Sequence, residues 1–322
     1  MSRWHDMNTY QASAPGSVML AGEHAVLHGY PALVAALDKR LQVKLTVRED
    51  TCINIHAAFG DFSTDLTQLM PVAPYQFVLM AIKLWHEKNP LPVGFDLEIS
   101  SEFSHQMGLG SSAAISVAVI AVLAKWQQPN ATKRDIFHLC YAVIKAVQGV
   151  GSGADVAASV FGGVNFYQLT PSITIDPLPV TLPLVLIYCG SKMPTREVVA
   201  KVEQQRLAQP AYYEQIFSQL GYCVEMACEA SLAQNWHKLG HIFNRHQQLQ
   251  ADMQLSMPVI DDIIISLLSC AEIYGAKISG SGLGDGVIGI GSLPVNFFPA
   301  TALQQQAGVQ QVPVILSTEG IA

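Results

Sequence analysis

The spacing of apolar positions changes along the chain, and each change predicts an element. Leu41, Val43, Leu45 and Val47 alternate with Gln42, Lys44 and Thr46, which predicts a half-exposed strand. Phe95, Leu97 and Ile99 alternate with Asp96, Glu98 and Ser100 in the same way. Apolar residues recur at helical spacing over 75–87, 112–126 and 133–148, and short apolar runs at 164–169 and 184–188 read as strands. From 195 to 270 the pattern is mostly helical, in three or four amphipathic segments broken near Pro210 and Pro258. Two short strands follow, 276–279 and 286–290, with a glycine-rich turn between them. Strands mixed with helices define an α/β or α+β protein. Prolines cluster between Pro171 and Pro183, which places a boundary between units of 1–175 and 176–322.

Composition narrows this picture. In 322 residues, 50% are hydrophobic and only 13% charged, so a large, filled core is expected and disorder is not. The net charge of −7 and the lack of a basic run argue against nucleic acid as a partner. Any polyphosphate must then be held by local groups. The first residues, Met1 to Asp6, carry no apolar signal core, and the longest apolar run, 113–124, is too short to span a bilayer. The six cysteines are scattered with no Cys-x-x-Cys pair, which suggests free thiols in a reducing, cytoplasmic compartment.

Four segments carry candidate chemistry. Gly108-Leu109-Gly110-Ser111-Ser112-Ala113 opens an apolar helix. Glycines allow close approach to a ligand, and the first N–H groups of a helix lack internal partners and sit at the positive end of its dipole. That is an anion site suited to phosphate, with Ser111 and Ser112 able to add hydroxyls to phosphate or Mg2+. It is not a Walker loop, since no Gly-Lys-Ser/Thr is present, and a small-residue cap on a buried helix has the same pattern. A strand ending at Gly22 presents Glu23 and His24 at its tip, as a substrate contact or as a capped turn with a buried histidine. Asp155 is a lone acid in the small, apolar run 149–163. It serves either as a helix cap or, since a lone buried carboxylate is expensive, as the acceptor of a substrate proton. The turn Gly280-Ser281-Gly282-Leu283-Gly284-Asp285-Gly286 can pass close to a ligand.

In order and spacing these four segments resemble the GHMP small-molecule kinases, from Ala14 to Ile290. The resemblance implies an α+β, two-domain GHMP kinase fold. An N-terminal α/β domain would carry the phosphate-binding loop, and a ferredoxin-like C-terminal domain would follow. ATP would bind in the cleft between them, against Gly108, Leu109, Gly110, Ser111, Ser112, Ala113 and Gly282, with Mg2+ on Ser112. Ser152 and Asp155 are similar to the family's catalytic Ser-Gly-x-Asp. Within the family, Gly22-Glu23-His24 looks most like the mevalonate kinase branch, which implies mevalonate as substrate, isoprenoid biosynthesis as setting, and Glu23 and His24 as substrate contacts. A homodimer is a further implication.

The chain departs from that pattern in places. Ser17 stands where the branch usually has a lysine that steadies the transferring phosphate, and Lys192 and Arg196 are the candidate replacements on the substrate side. The family's metal-binding glutamate falls near Ile144. The run 148–158 and Asp285 lean toward the phosphomevalonate kinase branch, whose substrate would need extra cations from among Lys39, Lys44, Lys145, Lys192 and Arg196. A nucleotide-binding homologue with little activity is the third reading.

Overall fold

The computed structural model describes residues 8–104 and 107–322. The first sheet is built from β1 (Thr9–Ala21), β2 (Ala32–Val47), β3 (Cys52–Ala57), β4 (Gly60–Asp65), β5 (Phe95–Ser101), β6 (Val164–Gln168) and β7 (Thr174–Leu178). Its order is β4-β3-β5-β2-β6-β7, with β1 also paired to β2. Every pairing is antiparallel except β3 with β5. The strand predicted over 41–47 is the half-exposed end of β2. Its first half, Ala32 to Leu37, is buried on both faces and therefore shows no alternation.

Four helices accompany this sheet: α1 (Gln76–Lys88), α2 (Ser111–Gln127), α3 (Lys133–Gln148) and α4 (Ala154–Phe161). α2 is apolar all round and correspondingly central, with Val117, Ile120, Val122 and Leu123 fully buried. Each such side chain contributes about 1.5–3 kcal/mol. The start of α3 is set by a capping box in which Thr132 Oγ1 accepts from Asp135 N–H and Asp135 Oδ2 accepts from Thr132 N–H, both at 3.1 Å. Its end at Gly149, in the left-handed region, turns the chain toward α4.

The second sheet holds β8 (Leu184–Tyr188), β9 (Ile273–Ser279), β10 (Gly286–Gly291) and β11 (Gln310–Val312). Its order is β11-β8-β10-β9, antiparallel throughout. With helices between β8 and β9 and between β10 and β11, this is a ferredoxin-like split β-α-β arrangement. The predicted helical region resolves into α5 (Thr195–Ala208), α6 (Pro210–Leu232), α7 (Trp236–Asp252) and α8 (Pro258–Leu268), and α9 (Ala302–Ala307) precedes β11. Pro210 and Pro258 sit in the first turns of α6 and α8, where a missing N–H costs nothing.

The first sheet runs past the expected division at 175/176, because β7 is its edge strand. The sheets change between Leu178 and Leu184. The chain end also returns to the first sheet: Leu316 bridges Leu37, and Ser13 and Ala322 exchange backbone hydrogen bonds at 2.9 and 3.0 Å. All six cysteines are unpaired. No helix among the described residues is long and apolar enough to cross a membrane.

Candidate active site

One cleft collects the motif residues from both sheets. Its lining includes Glu23 and His24 beyond β1, Gly108 to Ala113 without Leu109, Ser152 and Asp155, Lys192 after β8, and Gly280, Ser281 and Asp285 from the turn between β9 and β10. The order of the folds explains the meeting. The C-terminal ends of β1 and β9 touch where Ser279 Oγ donates to Met19 O at 3.0 Å, so the loops leaving both strands face one space.

The loop before α2 is locked to β1. Ser17 N–H donates to Leu109 O at 3.1 Å, and the Leu109 side chain is buried in the core rather than in the cleft. Gly110 caps the helix at φ 64°, and a Cβ there would stand 2.0 Å from Ser17 Oγ. Both conformation and contact therefore demand glycine. The helix N-terminus opens on the cleft beside Ser111 and Ser112.

Asp155 lies in the first turn of α4 after Gly153, and it accepts a hydrogen bond from Ser17 Oγ at 2.8 Å. Ser17 itself is 1% exposed and reaches the cleft only through that bond. Burial pushes the Asp155 carboxyl above its ordinary range, and the Ser17 hydroxyl and the Lys192 charge pull it part of the way back. Lys192 Nζ forms an ion pair with Asp285 Oδ1 at 3.2 Å. Ser152 Oγ accepts from Ala154 N–H at 3.2 Å, holding the turn that delivers Asp155.

Glu23 has a different environment. Its Oε1 accepts from Lys277 Nζ, and both side chains are buried. Gly22 N–H donates to His246 Nε2 at 2.9 Å, so that nitrogen carries no proton and Nδ1–H donates to Gln250 Oε1 at 3.2 Å. Burial and the Lys277 charge hold His246 far below the usual histidine range, in agreement with a neutral ring. Glu23 Oε2 lies 3.2 Å from His246 Nε2 without a hydrogen to share and is left unsatisfied. His24 Nε2 meets Ser281 O at 2.8 Å; a carbonyl only accepts, so the proton is on Nε2 and Nδ1 is an acceptor.

Besides Leu109 and Ser17, which do not line the cleft, two more expected contacts fall elsewhere. Arg196 is exposed on α5 and does not line the cleft, because the first turn of that helix presents Thr195 and Val199 instead. Gly282 turns away from it, and a Cβ there would meet Leu255 Cβ at 2.8 Å; Gly280 is the glycine on the cleft. Lys277, His246 and Gln250 were not expected at the site. Lys277 had a signal, since a lysine between Ala276 and Ile278 in an apolar strand must find an acid when buried. His246 had none. Among the described residues no cluster of three or more His, Cys, Asp or Glu side chains forms a metal cage. A larger depression on the first sheet contains none of the motif residues. There Lys44 pairs with Glu98 at 2.7 Å and His56 with Asp61 at 3.1 Å.

The phosphate loop, the aspartate-bearing helix start and the closing turn therefore sit together between an α/β domain and a ferredoxin-like domain. Residues 76–163 match the family described as GHMP kinases N terminal domain, and residues 227–295 match GHMP kinases C terminal. A mevalonate kinase of Thermococcus sibiricus is 33% identical over 293 residues, covering 85% of this chain and 86% of that protein. The chain belongs to the GHMP kinases, and it is a kinase. The fold agrees with the crystal structure of the Methanococcus jannaschii mevalonate kinase, with TM-score 0.78 at 22% identity over 97% of this chain and 99% of that one. It agrees equally with Streptococcus pneumoniae phosphomevalonate kinase in complex with phosphomevalonate and AMPPNP, with TM-score 0.78 at 17% identity over 95% and 99%.

Proposed function

We propose that this kinase transfers the γ-phosphoryl group of ATP to the primary alcohol of mevalonate, giving mevalonate 5-phosphate. The observation that carries the reading is Asp155: a half-buried carboxylate at the cleft, held by a neutral hydroxyl and beside a helix N-terminus suited to phosphate. The names of the relatives supply the substrate.

The residues present fit the donor. Gly108 and Gly110 let the loop pack closely against Asp285 and Ser17, and the N–H groups of the first turn of α2 would take the oxygens of a polyphosphate. The Ser111 and Ser112 hydroxyls would hold Mg2+, which when bound screens the charge of the phosphates. Asp155 orients the alcohol and accepts its proton, an action favoured by a carboxylate whose affinity for protons is raised by burial. Lys192 offers positive charge to the transferring group. Glu23 Oε2 and His24 Nδ1 are acceptors for substrate hydroxyls. Glu23 does not bind the acid group itself, because its charge is spent on Lys277. Six unpaired thiols fit a reducing, cytoplasmic setting.

Charge separates the two branches. A phosphorylated substrate brings extra negative charge, yet Lys192 is the single Lys or Arg among the described residues lining the cleft. Lys39, Lys44, Lys145 and Arg196 are elsewhere. The test is ADP release from ATP·Mg2+ with mevalonate and mevalonate 5-phosphate offered separately. Turnover with mevalonate alone is expected. Turnover only with the phosphorylated acid moves the enzyme to the other branch, and nucleotide binding without turnover favours the weakly active reading.

A further inference from the structure

We propose that Asp285 is a positioning residue for phosphoryl transfer, holding the ammonium of Lys192, the one Lys or Arg among the described residues lining the cleft, on the side of Asp155. The inference rests on the kinase reading above and concerns the source of its positive charge.

Lysine carries its charge on a flexible four-carbon stem. Lys192 sits in the connection between β8 and α5, and its side chain is 32% exposed. Unheld, it would spread over many positions. Asp285 supplies the hold. It lies one residue before β10, where Asp285 N–H donates to Ser191 O at 2.9 Å and Cys189 N–H donates to Asp285 O at 3.0 Å. The backbone carrying the acid is thus clamped to the backbone that carries the lysine. Gly284 makes the approach close: a Cβ there would stand 2.9 Å from Lys192 Cα.

The acid is 4% exposed and adopts φ 64°, a left-handed conformation that aspartate tolerates better than most residues. Its other side meets the phosphate loop, since a Cβ on Gly108 would come within 2.8 Å of Asp285 Oδ1. A buried carboxylate against a phosphate loop repels the ligand that the loop suits. Its presence there needs a compensating task, and among the described residues it pairs with Lys192 alone. Lys192, Asp285 and Asp155 line the same cleft, and the lysine lowers the proton affinity of both acids. Ser17 gives Asp155 a neutral donor only. The charge that builds up during transfer is therefore met from the β8–α5 connection, at a position set by Asp285.

A double-mutant cycle tests this with Lys192→Met and Asp285→Asn. Alone, Asp285→Asn should lower kcat by about 10- to 100-fold, and in the Lys192→Met background by no more than about threefold, because it acts through the lysine. Equal losses in both backgrounds overturn the proposal. Asp285→Gly repeats the cycle with a residue suited to the positive φ, in case the asparagine variant folds poorly. Affinity for a fluorescent ATP analogue gives a readout independent of the acceptor. Removing the acid should weaken binding when Lys192 is present and leave it unchanged or tighter when Lys192 is absent. The same change in both backgrounds again overturns the proposal. Wild-type silence toward mevalonate would remove the substrate reading alone, with the nucleotide cycle still deciding the role of Asp285.

Discussion

Asp155 and Glu23 are both carboxylates at the edge of one cleft, Glu23 buried and Asp155 half-buried, yet their partners give them opposite uses. Glu23 is paired with a fully buried lysine and packed on a neutral histidine. Asp155 has a serine hydroxyl at 2.8 Å and feels the half-exposed Lys192 only at longer range. Burial raises the proton affinity of both. For Glu23 that cost is offset by an ion pair that joins the two domains, β1 to β9 and α7. For Asp155 the Ser17 hydroxyl and the more distant Lys192 charge offset it only in part, which suits a group that must take a proton. Burial alone does not distinguish a structural acid from a catalytic one; the charge and exposure of the partner do.

The largest expected break of this contrast is Asp155→Asn. It should lower kcat by about 10²–10⁴-fold, since general-base catalysis is typically of that size. Nucleotide affinity and thermal stability should change little, as checked by titration and melting curves. Robust activity in that variant would reassign the base.

Glu23→Ala should act first on stability. It strands Lys277 and is expected to cost about 3–5 kcal/mol of stability, read from urea unfolding. A variant as stable as the parent would show that the buried pair is not holding the domains together.

A smaller effect comes from pH. His246 and His24 are both held neutral by burial, with folded pKa values below the ordinary one. The unfolded chain binds more protons than the folded one below about pH 6.5, so stability falls with falling pH there, by up to about 1.4 kcal/mol per pH unit for each histidine. The urea midpoint should drop between pH 7 and 5.5, and His246→Gln should flatten that slope.

The finest test is Ser17→Ala. It removes a hydrogen bond that lowers the Asp155 pKa, so the acid limb of the kcat profile should move upward, with kcat at neutral pH reduced only a few-fold. An unmoved limb would mean that Ser17 does not tune the base.

Much of the architecture was legible because its signals are local. The α2 helix is an unbroken apolar run after two glycines, α3 carries its own capping box, and the starts of α6 and α8 are announced by prolines. The elements that escaped notice lack such signals. β3 and β4 form an edge hairpin whose polar residues Asn54, His56, Asp61, Ser63 and Thr64 blur the alternation. β7 contains Pro177, which an edge strand tolerates but which reads as a break.

The site divides along the same line. The sequence by itself determined where the glycine turn and helix start of the candidate phosphate loop fall, because tight turns and helix starts are made by neighbours within a few positions. It also determined that Asp155 would be a lone acid in apolar surroundings. Only the tertiary structure decided the partners. Lys277 lies 254 residues from Glu23, Asp155 lies 138 from Ser17, and Lys192 meets Asp285 across two strand ends. Charge pairing at such separations leaves no periodic trace. It is set by where the two sheets end and how closely their loops approach, and there the chain chose Lys192 over Arg196 and Gly280 over Gly282.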